Sequence, residues 1–245
     1  MAIVKFGITE RGDVAFDDSW IAPVRRGDVS AAVLISKGMP TPSGMEAMLE
    51  MKDRLIFHAT TTGFGGTILE PNVAPADNRL KKVAEFCHRG FPMDHVVIRV
   101  DPMIPTPKGI ARAENVIQQA YELGFRRFRY SWIDVYRHVK TRFLQAGLPI
   151  PLSIREADPK LVSSFIDEFC ASYEAHGCRF ESCAENNRHQ TGCISKRDFE
   201  ICGLDPKEAY GKSQQRTACL CCGNKTELLH HRGRCPHNCL YCYWR

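Results

Sequence analysis

Val96-Val-Ile-Arg-Val-Asp101-Pro-Met-Ile-Pro-Thr-Pro-Lys-Gly109-Ile-Ala-Arg-Ala-Glu-Asn-Val-Ile-Gln-Gln-Ala-Tyr-Glu-Leu-Gly124-Phe-Arg-Arg-Phe-Arg-Tyr-Ser-Trp132 holds one complete strand–helix–strand unit. Two runs rich in β-branched and aromatic residues, Val96–Asp101 and Phe125–Trp132, flank a helix-period segment over 109–123. Gly124 follows the helix where a left-handed cap is expected. A strand that returns to its neighbour through a helix pairs with it in parallel.

The same alternation extends in both directions. Further strand-like runs are Ile3–Thr9, Ala31–Ser36, Leu55–Thr61 and Arg179–Ala184, with helices expected near 43–53, 76–89, 134–146 and 158–176. Gly90, Gly147 and Gly177 repeat the cap position of Gly124, and Asp158-Pro159 reads as an N-cap followed by proline at the first helical position. Leu161, Val162, Phe165, Ile166, Phe169 and Cys170 form one apolar stripe; Leu80, Val83, Ala84 and Cys87 form another. Six units imply an α/β fold, a parallel (β/α)6 partial barrel over residues 1–185, with a doubly wound open sheet as the alternative. Residues 186–245 change character: one short helix at Ser195–Cys202, then Cys, His, Gly and Arg. They read as a Cys-rich extension that needs metal to hold a shape, packed on the barrel mouth.

Polar residues gather where the strands end. Ile8 leads into Thr9, Glu10, Arg11 and Asp13; Ile35 into Ser36 and Lys37; Phe57 into Thr60, Thr61 and Thr62. Ile98 leads into Arg99 and Asp101, Tyr130 into Ser131 and Asp134, and Phe180 into Ser182, Cys183 and Glu185. The carboxyl ends of a parallel barrel open onto one face, and active sites sit there. Turn chemistry alone also favours polar residues, but charges at several consecutive strand ends point to a site.

The 245 residues are 44% hydrophobic and 25% charged, ordinary for a globular protein. No apolar run is long enough to span a bilayer, and the first residues meet charge too early for a secretory signal, so a cytoplasmic protein without membrane contact is expected. Twelve cysteines in that setting argue for metal or redox chemistry rather than disulfides. The formal charge of +5 would fall if thiolates held clusters, so it says little about partners.

Cys235-Pro-His-Asn-Cys239-Leu-Tyr-Cys242 carries the sharpest chemical signal. Three thiolates spaced x3 then x2 can bind three irons of a 4Fe–4S cubane and leave the fourth open for chemistry. A structural zinc site is the alternative, with His230, His231 or His237 as the fourth ligand. Cys183, Cys193, Cys219 and Cys221, with Cys222 adjacent, form a second set. It suits a second cluster or a zinc ion, or consists of unpaired core cysteines. Cys87 and Cys170 lie on apolar stripes and are read as packing residues, as are Cys178 and Cys202. The loop Thr62-Gly-Phe-Gly-Gly-Thr67 fails as a phosphate loop: Ile68 stands where the dinucleotide fingerprint needs glycine, and no Gly-Lys-Ser/Thr follows. It either lets backbone approach a ligand or is a plain turn. Arg126, Arg127 and Arg129 read as a solvated strand edge, with nucleic-acid contact as the alternative.

The triplet, with Tyr241 directly before its last cysteine, resembles the cluster motif of radical S-adenosylmethionine (SAM) enzymes, whose catalytic domain is commonly a (β/α)6 partial barrel. Cys239-Leu-Tyr-Cys242-Tyr is similar, more narrowly, to the version in spore photoproduct lyases. In those families the motif follows the first strand of the domain; here it ends the chain, which implies a circularly permuted order. Nearly the whole chain also resembles a bacterial and phage domain family of unknown function that carries a radical-SAM-like cysteine cluster at its C-terminus. The matching stretches are Thr61-Thr-Gly-Phe-Gly65, Leu69-Glu-Pro-Asn-Val73, Ile98-Arg-Val-Asp-Pro102, Ser131-Trp-Ile-Asp134-Val-Tyr136, Ser182-Cys-Ala-Glu185, Gly192-Cys-Ile194, Arg216, Cys219-Leu-Cys221 and the triplet. That family usually has Asp-Ile-Gly before the last cluster, where this chain has Thr226-Glu-Leu-Leu-His230. The resemblance implies a SAM-dependent enzyme in which the cluster cleaves SAM to a 5′-deoxyadenosyl radical that abstracts hydrogen from substrate. An external electron donor of flavodoxin or ferredoxin type is implied with it. Tyr241 would lie near the adenine. Arg99 and Asp101 are the first candidates for SAM or substrate contacts, followed by Thr60, Thr62, Ser131, Tyr136 and Glu185. Gly65-Gly66 is followed by Thr67 and not by the glutamate that often marks the amino-group site. DNA or a nucleotide is the substrate class that the lyase-like ending implies, beside a small metabolite or peptide. From a different class, a zinc-stabilised nucleic-acid-binding or scaffold protein fits the same cysteines, and so does an iron–sulfur protein that only transfers electrons.

Overall fold

A computed structural model of the chain describes residues 5–209, 220, 225–230 and 233–244. Its strands are β1 (Phe6–Ile8), β2 (Ala31–Ser36), β3 (Leu55–Thr60), β4 (Val96–Met103), β5 (Arg127–Trp132), β6 (Arg179–Cys183), β7 (Gln190–Thr191) and β8 (Lys225–Glu227). All pairings are parallel, in the spatial order β7-β6-β5-β4-β3-β2-β1-β8. From β1 to β7 the order never reverses. Crossovers of one hand then stack the helices between β1 and β6 on one face, and the sheet curls into a partial barrel. A doubly wound sheet would reverse its order at a switch point, and this one does not.

The six expected strands are present, and two short ones extend the sheet to eight. β7 and β8 both come from the stretch beyond residue 185, so that stretch shares the barrel's sheet. The helices are α1 (Ile21–Arg26), α2 (Pro42–Glu50), α3 (Ala76–His88), α4 (Pro107–Glu122), α5 (Arg137–Gln145) and α6 (residues 159–174), the last passing through a π turn at Ser164–Phe169. A short helix, Lys196–Ile201, follows. Gly90, Gly124, Gly147 and Gly177 all take positive φ, and the Asp158 carboxylate accepts from the Lys160 amide at 2.9 Å. The sequence gives no warning of α1, whose first residues, Ile21-Ala-Pro-Val24, contain a proline and no acidic cap.

Alternation along the strands sorts residues into two layers. Leu55, Phe57 and Ala59 of β3, Val96, Ile98 and Val100 of β4, and Phe128, Tyr130 and Trp132 of β5 join the large core beneath the helices. Ile56 and Val97 point the other way and meet Phe6, Ile8, Ala31 and Val33 around Phe199, which plugs the concave side. Above that plug the inward positions turn polar. Arg129 donates to Glu181 and Asp198 and lies 3.1 Å from His58 Nε2; Arg127 pairs with Asp198. This corrects the reading of Arg127 and Arg129 as a solvated edge or a nucleic-acid contact. β5 is central, so its alternate residues face the interior, and the two arginines are 6% and 1% exposed. Arg126 alone is exposed, stacked 4.1 Å over Tyr121.

Candidate metal and cofactor site

One polar step further along the same inward columns, the strands end in a cavity of about 210 Å³. Thr60 of β3, Arg99 and Asp101 of β4, Ser131 of β5 and Cys183 of β6 line one side. Cys235, Cys239, Tyr241 and Cys242 line the other. The tail reaches this place through β8, which lies parallel beside β1 and ends at its carboxyl end. There the Glu227 carboxylate accepts from the amides of Glu10 (2.9 Å), Arg11 (3.1 Å) and Leu229 (3.0 Å), and the Leu228 amide donates to Ile8 O (2.9 Å). Glu227 is thus the residue that turns the chain from strand to site.

Two tight turns then wrap the triplet: Asn238 N donates to Cys235 O at 3.1 Å, with Asn238 at φ 53°, and Cys242 N donates to Cys239 O at 3.2 Å. The x3–x2 spacing is therefore two consecutive turns, each delivering one more sulfur to the same loop. Three ties fasten the loop. Asp13, buried below β1, faces His237 Nε2 at 3.0 Å and accepts the Lys37 amide at 2.7 Å. Burial alone would raise the Asp13 carboxyl, but His237, the Lys37 amide and Ser36 reverse that and hold it low. Lys37 Nζ lies 2.7 Å from Glu70 and 2.9 Å from the Tyr241 hydroxyl, which also bonds Glu70. Arg142 of α5 donates to the carbonyls of Cys242 and Trp244.

The glycine loop after β3 belongs to these ties and not to a phosphate. A Cβ on Gly65 would stand 2.0 Å from Ala74 O, so the chain doubles back there as only glycine allows. The return leg presents Leu69 O to the Leu240 amide (2.9 Å), and Asn72 Nδ2 to Pro236 O (2.8 Å), with Glu70 between.

Burial pushes the Cys239 thiol up to about 12, with Lys37 acting in the opposite direction, and raises Cys235 as well. Burial lowers Lys37, but Glu70 and Cys239 together raise it overall, so the cation is kept beside that sulfur. Arg99 is raised in the same way: burial opposes its charge, and Asp101, Cys193, Tyr243 and Cys183 outweigh it. Thr60 Oγ1 is buried and has no hydrogen-bond partner among the described residues, an acceptor and donor left over for a ligand in this cavity.

Cys235, Cys239 and Cys242 line one cavity and could each hold one iron of a cubane. Among the described residues no three Cys, His, Asp or Glu donors converge on a single point. A cubane takes one thiolate on each of three irons, and the cations beside the sulfurs offset its negative charge. Of the histidines considered for zinc, His237 is held by Asp13, His230 is exposed with its amide on Ser19 Oγ (3.1 Å), and His231 lies outside the described residues.

Of the remaining sequence candidates, Cys183 and Cys193 meet at 3.1 Å between sulfurs on the cavity wall. Cys219, Cys221 and Cys222 lie outside the described residues. Thr62 is buried in the glycine loop, where its hydroxyl accepts from the Phe64 amide (3.2 Å). Glu185 accepts from Ser131 Oγ (3.2 Å) and the Trp132 amide (2.9 Å), behind the cavity wall. Tyr136 is 43% exposed and stacked on His138, away from the cavity. Cys87, Cys170 and Cys178 are packed in the main core, and Cys202 is half-buried against the inner one. From the sequence, Lys37 and Asp13 stood out only as strand-end polar residues and Glu70 only within Leu69-Glu-Pro-Asn-Val73; Arg142 was not singled out. Among the described residues no helix is long and apolar enough to cross a membrane.

The chain is similar, at low level, to several solved enzyme structures. An HMG-CoA lyase from Brucella melitensis is 15% identical, with TM-score 0.40 over 75% of this chain and 57% of that one. A lysine/ornithine decarboxylase from Vibrio vulnificus is 10% identical, with TM-score 0.36 over 75% and 58%. The arginine decarboxylase of Paramecium bursaria Chlorella virus is 7% identical, with TM-score 0.36 over 66% and 41%. The chain therefore spans less than two thirds of each of these structures. No curated protein matches it. The family model described as "Domain of unknown function (DUF1848)" matches residues 17–244, nearly the whole chain, and the protein belongs to that family.

Proposed function

We propose that this protein is a radical SAM enzyme in which Cys235, Cys239 and Cys242 hold a 4Fe–4S cluster beside SAM in the strand-end cavity. One observation carries the reading: the triplet enters the cavity directly after β8, the strand that precedes β1 in space. Among the described residues the last strand in sequence lies beside the first, which supports a permuted version of the motif-after-first-strand arrangement. When bound, the pair supplies a low-potential electron to a sulfonium and hence a 5′-deoxyadenosyl radical for hydrogen abstraction. The chain's own residues bind and orient. Thr60 Oγ1 offers an unused hydrogen bond, Arg99 and Asp101, ion-paired with each other, present a charge pair that a zwitterion would match, and Ser131 shares the cavity wall with them. Lys37 keeps a positive charge next to Cys239, and Arg142 and Trp244 hold the tail across the cavity.

Cys183 and Cys193, already in contact, are proposed as half of a second thiolate set with Cys219 and Cys221, for a second cluster or a zinc ion. The decisive experiment is anaerobic iron, sulfide and zinc analysis with SAM cleavage, on wild type, Cys239→Ala and Cys183→Ala. A brown protein that releases 5′-deoxyadenosine, with activity lost in Cys239→Ala, is expected. Cys183→Ala is expected to lose the metal of one site only. A colourless zinc protein would end the radical reading, and a brown one inert toward SAM would reduce it to electron transfer.

A further inference from the structure

Residues 135–155 contain Arg137, Lys140, Arg142 and Arg155, with His138, and not one Asp or Glu in a chain that carries 28. The segment comprises α5 and the loop that turns back along it, where the Leu148 amide bonds Phe143 O at 2.9 Å. Acidic residues stand only at its margins: Asp134 before it, and Glu156, bound to Ser153 and close to Lys140, after it. The same segment exposes large apolar side chains: Leu144 is 63% exposed, and Tyr136, Ile150 and Leu152 each more than 40%. Tyr243 and Trp244 extend the patch, because Arg142 holds the Trp244 carbonyl at 3.0 Å. An exposed aliphatic centre with a single-sign charged rim marks a protein-binding face. Bases would be met by stacking rings and not by Leu144, Ile150 and Leu152. The inner side of α5 carries Val139 and Phe143, which pack with Cys239, Tyr241 and Cys242.

We infer that α5 and the loop to Arg155 form the docking face for an acidic, low-potential one-electron carrier that reduces the cluster through the thin wall of α5. The inference rests on the proposed cluster for its purpose, but the surface itself does not depend on it. One electron passes from the reduced carrier to the cluster, and the carrier leaves more oxidised by one; no bond forms or breaks. Complementary charge steers such encounters and makes their rate fall with salt.

The test uses the full chain, a flavodoxin as carrier, and the variants Arg137→Glu/Lys140→Glu and Leu144→Ser, all at exposed positions remote from the cavity lining. Binding of labelled flavodoxin to the metal-free protein should weaken about tenfold or more in the charge-reversed variant and lose its salt dependence. Leu144→Ser should weaken binding while keeping the salt dependence. In the loaded protein, flavodoxin-driven bleaching should slow in parallel, while reduction by dithionite stays unchanged. Flavodoxin binding indifferent to both variants would overturn the inference. So would a single-stranded oligonucleotide that binds tighter than flavodoxin and is released by the charge reversal. A chain that assembles no cluster yet binds flavodoxin through Arg137 and Lys140 would sink the radical reading and leave this face standing.

Discussion

His58 sits on the inner face of β3 with its Nε2 accepting from Arg129, and its Nδ1 has no partner among the described residues. Burial first, and the Arg129 charge second, push it well below the ordinary imidazole range. The folded protein therefore keeps His58 neutral where the unfolded chain, titrating near pH 6.5, takes up a proton. A group whose folded pKa is depressed costs stability as pH falls below the unfolded value, here by up to about 1.4 kcal/mol per pH unit. Urea denaturation of His58→Gln and wild type at pH 7.5 and 5.5 should show the wild type losing more stability on acidification; parallel losses would mean that His58 ionises inside the fold. Lys37 and Glu70 make the complementary case. Glu70 is 1% exposed, so Glu70→Ala leaves Lys37 without its carboxylate and should cost about 3–5 kcal/mol. Lys37→Met/Glu70→Leu should cost less than either single change, which a denaturation cycle over the four proteins reads directly.

The glycine loop between β3 and α3 governs the site through its return leg, which supplies Leu69 O and Glu70 to the cysteine loop. Gly65→Ala forces the Ala74 carbonyl away and should cost about 1–3 kcal/mol by overpacking. It should also lower iron uptake, measured per chain after anaerobic reconstitution. Gly147→Ala has open space around its Cβ and meets only left-handed strain of about 1–2 kcal/mol, so its iron content should match wild type. Equal iron in both would remove the loop from the site. These elements also show what a sequence can carry. β2, β3, β4 and β5 were legible within a few residues because each is rich in Val, Ile, Leu, Phe or Tyr and closed by turn residues, and β6, Arg179-Phe-Glu-Ser-Cys183, by its place after the Gly177 helix cap. β7, Gln190-Thr191, and β8, Lys225-Thr-Glu227, have neither length nor apolar alternation. They are strands only because the sheet edge offers unpaired backbone groups. The arginines of β5 misled for a related reason: Arg127-Phe-Arg-Tyr alternates as an amphipathic edge strand does, but the inward face here is the charged one. The cysteine triplet was legible because its ligands are local. Its supports were not, since Asp13 and His237 are 224 positions apart.

In the whole molecule, one short strand, Leu228 and Leu229 in the main core, and a handful of polar ties join the C-terminal tail to the barrel. Cys239 and Tyr241 belong to a small apolar cluster with Phe64, Val139 and Phe143, separate from the core beneath the helices. Beyond Leu229 the tail rests on that small cluster and on polar ties, so whatever binds its cysteines should appear as added order in the tail itself. Hydrogen exchange on the metal-free and reconstituted protein should therefore show strong new protection over residues 225–244. α4, whose Ala113, Val116 and Ile117 are packed in the main core, should be unchanged. Binding at a hundredfold excess over its dissociation constant adds about 2.7 kcal/mol, which for a chain of this size raises Tm by roughly 5–10 °C. Cys239→Ala should show neither the protection nor the shift, because two thiolates cannot span the three irons. If exchange across the tail is already slow without metal, the ties of Asp13, Glu70 and Glu227 hold it alone, and the cluster would be a passenger in a finished site instead of its last structural element.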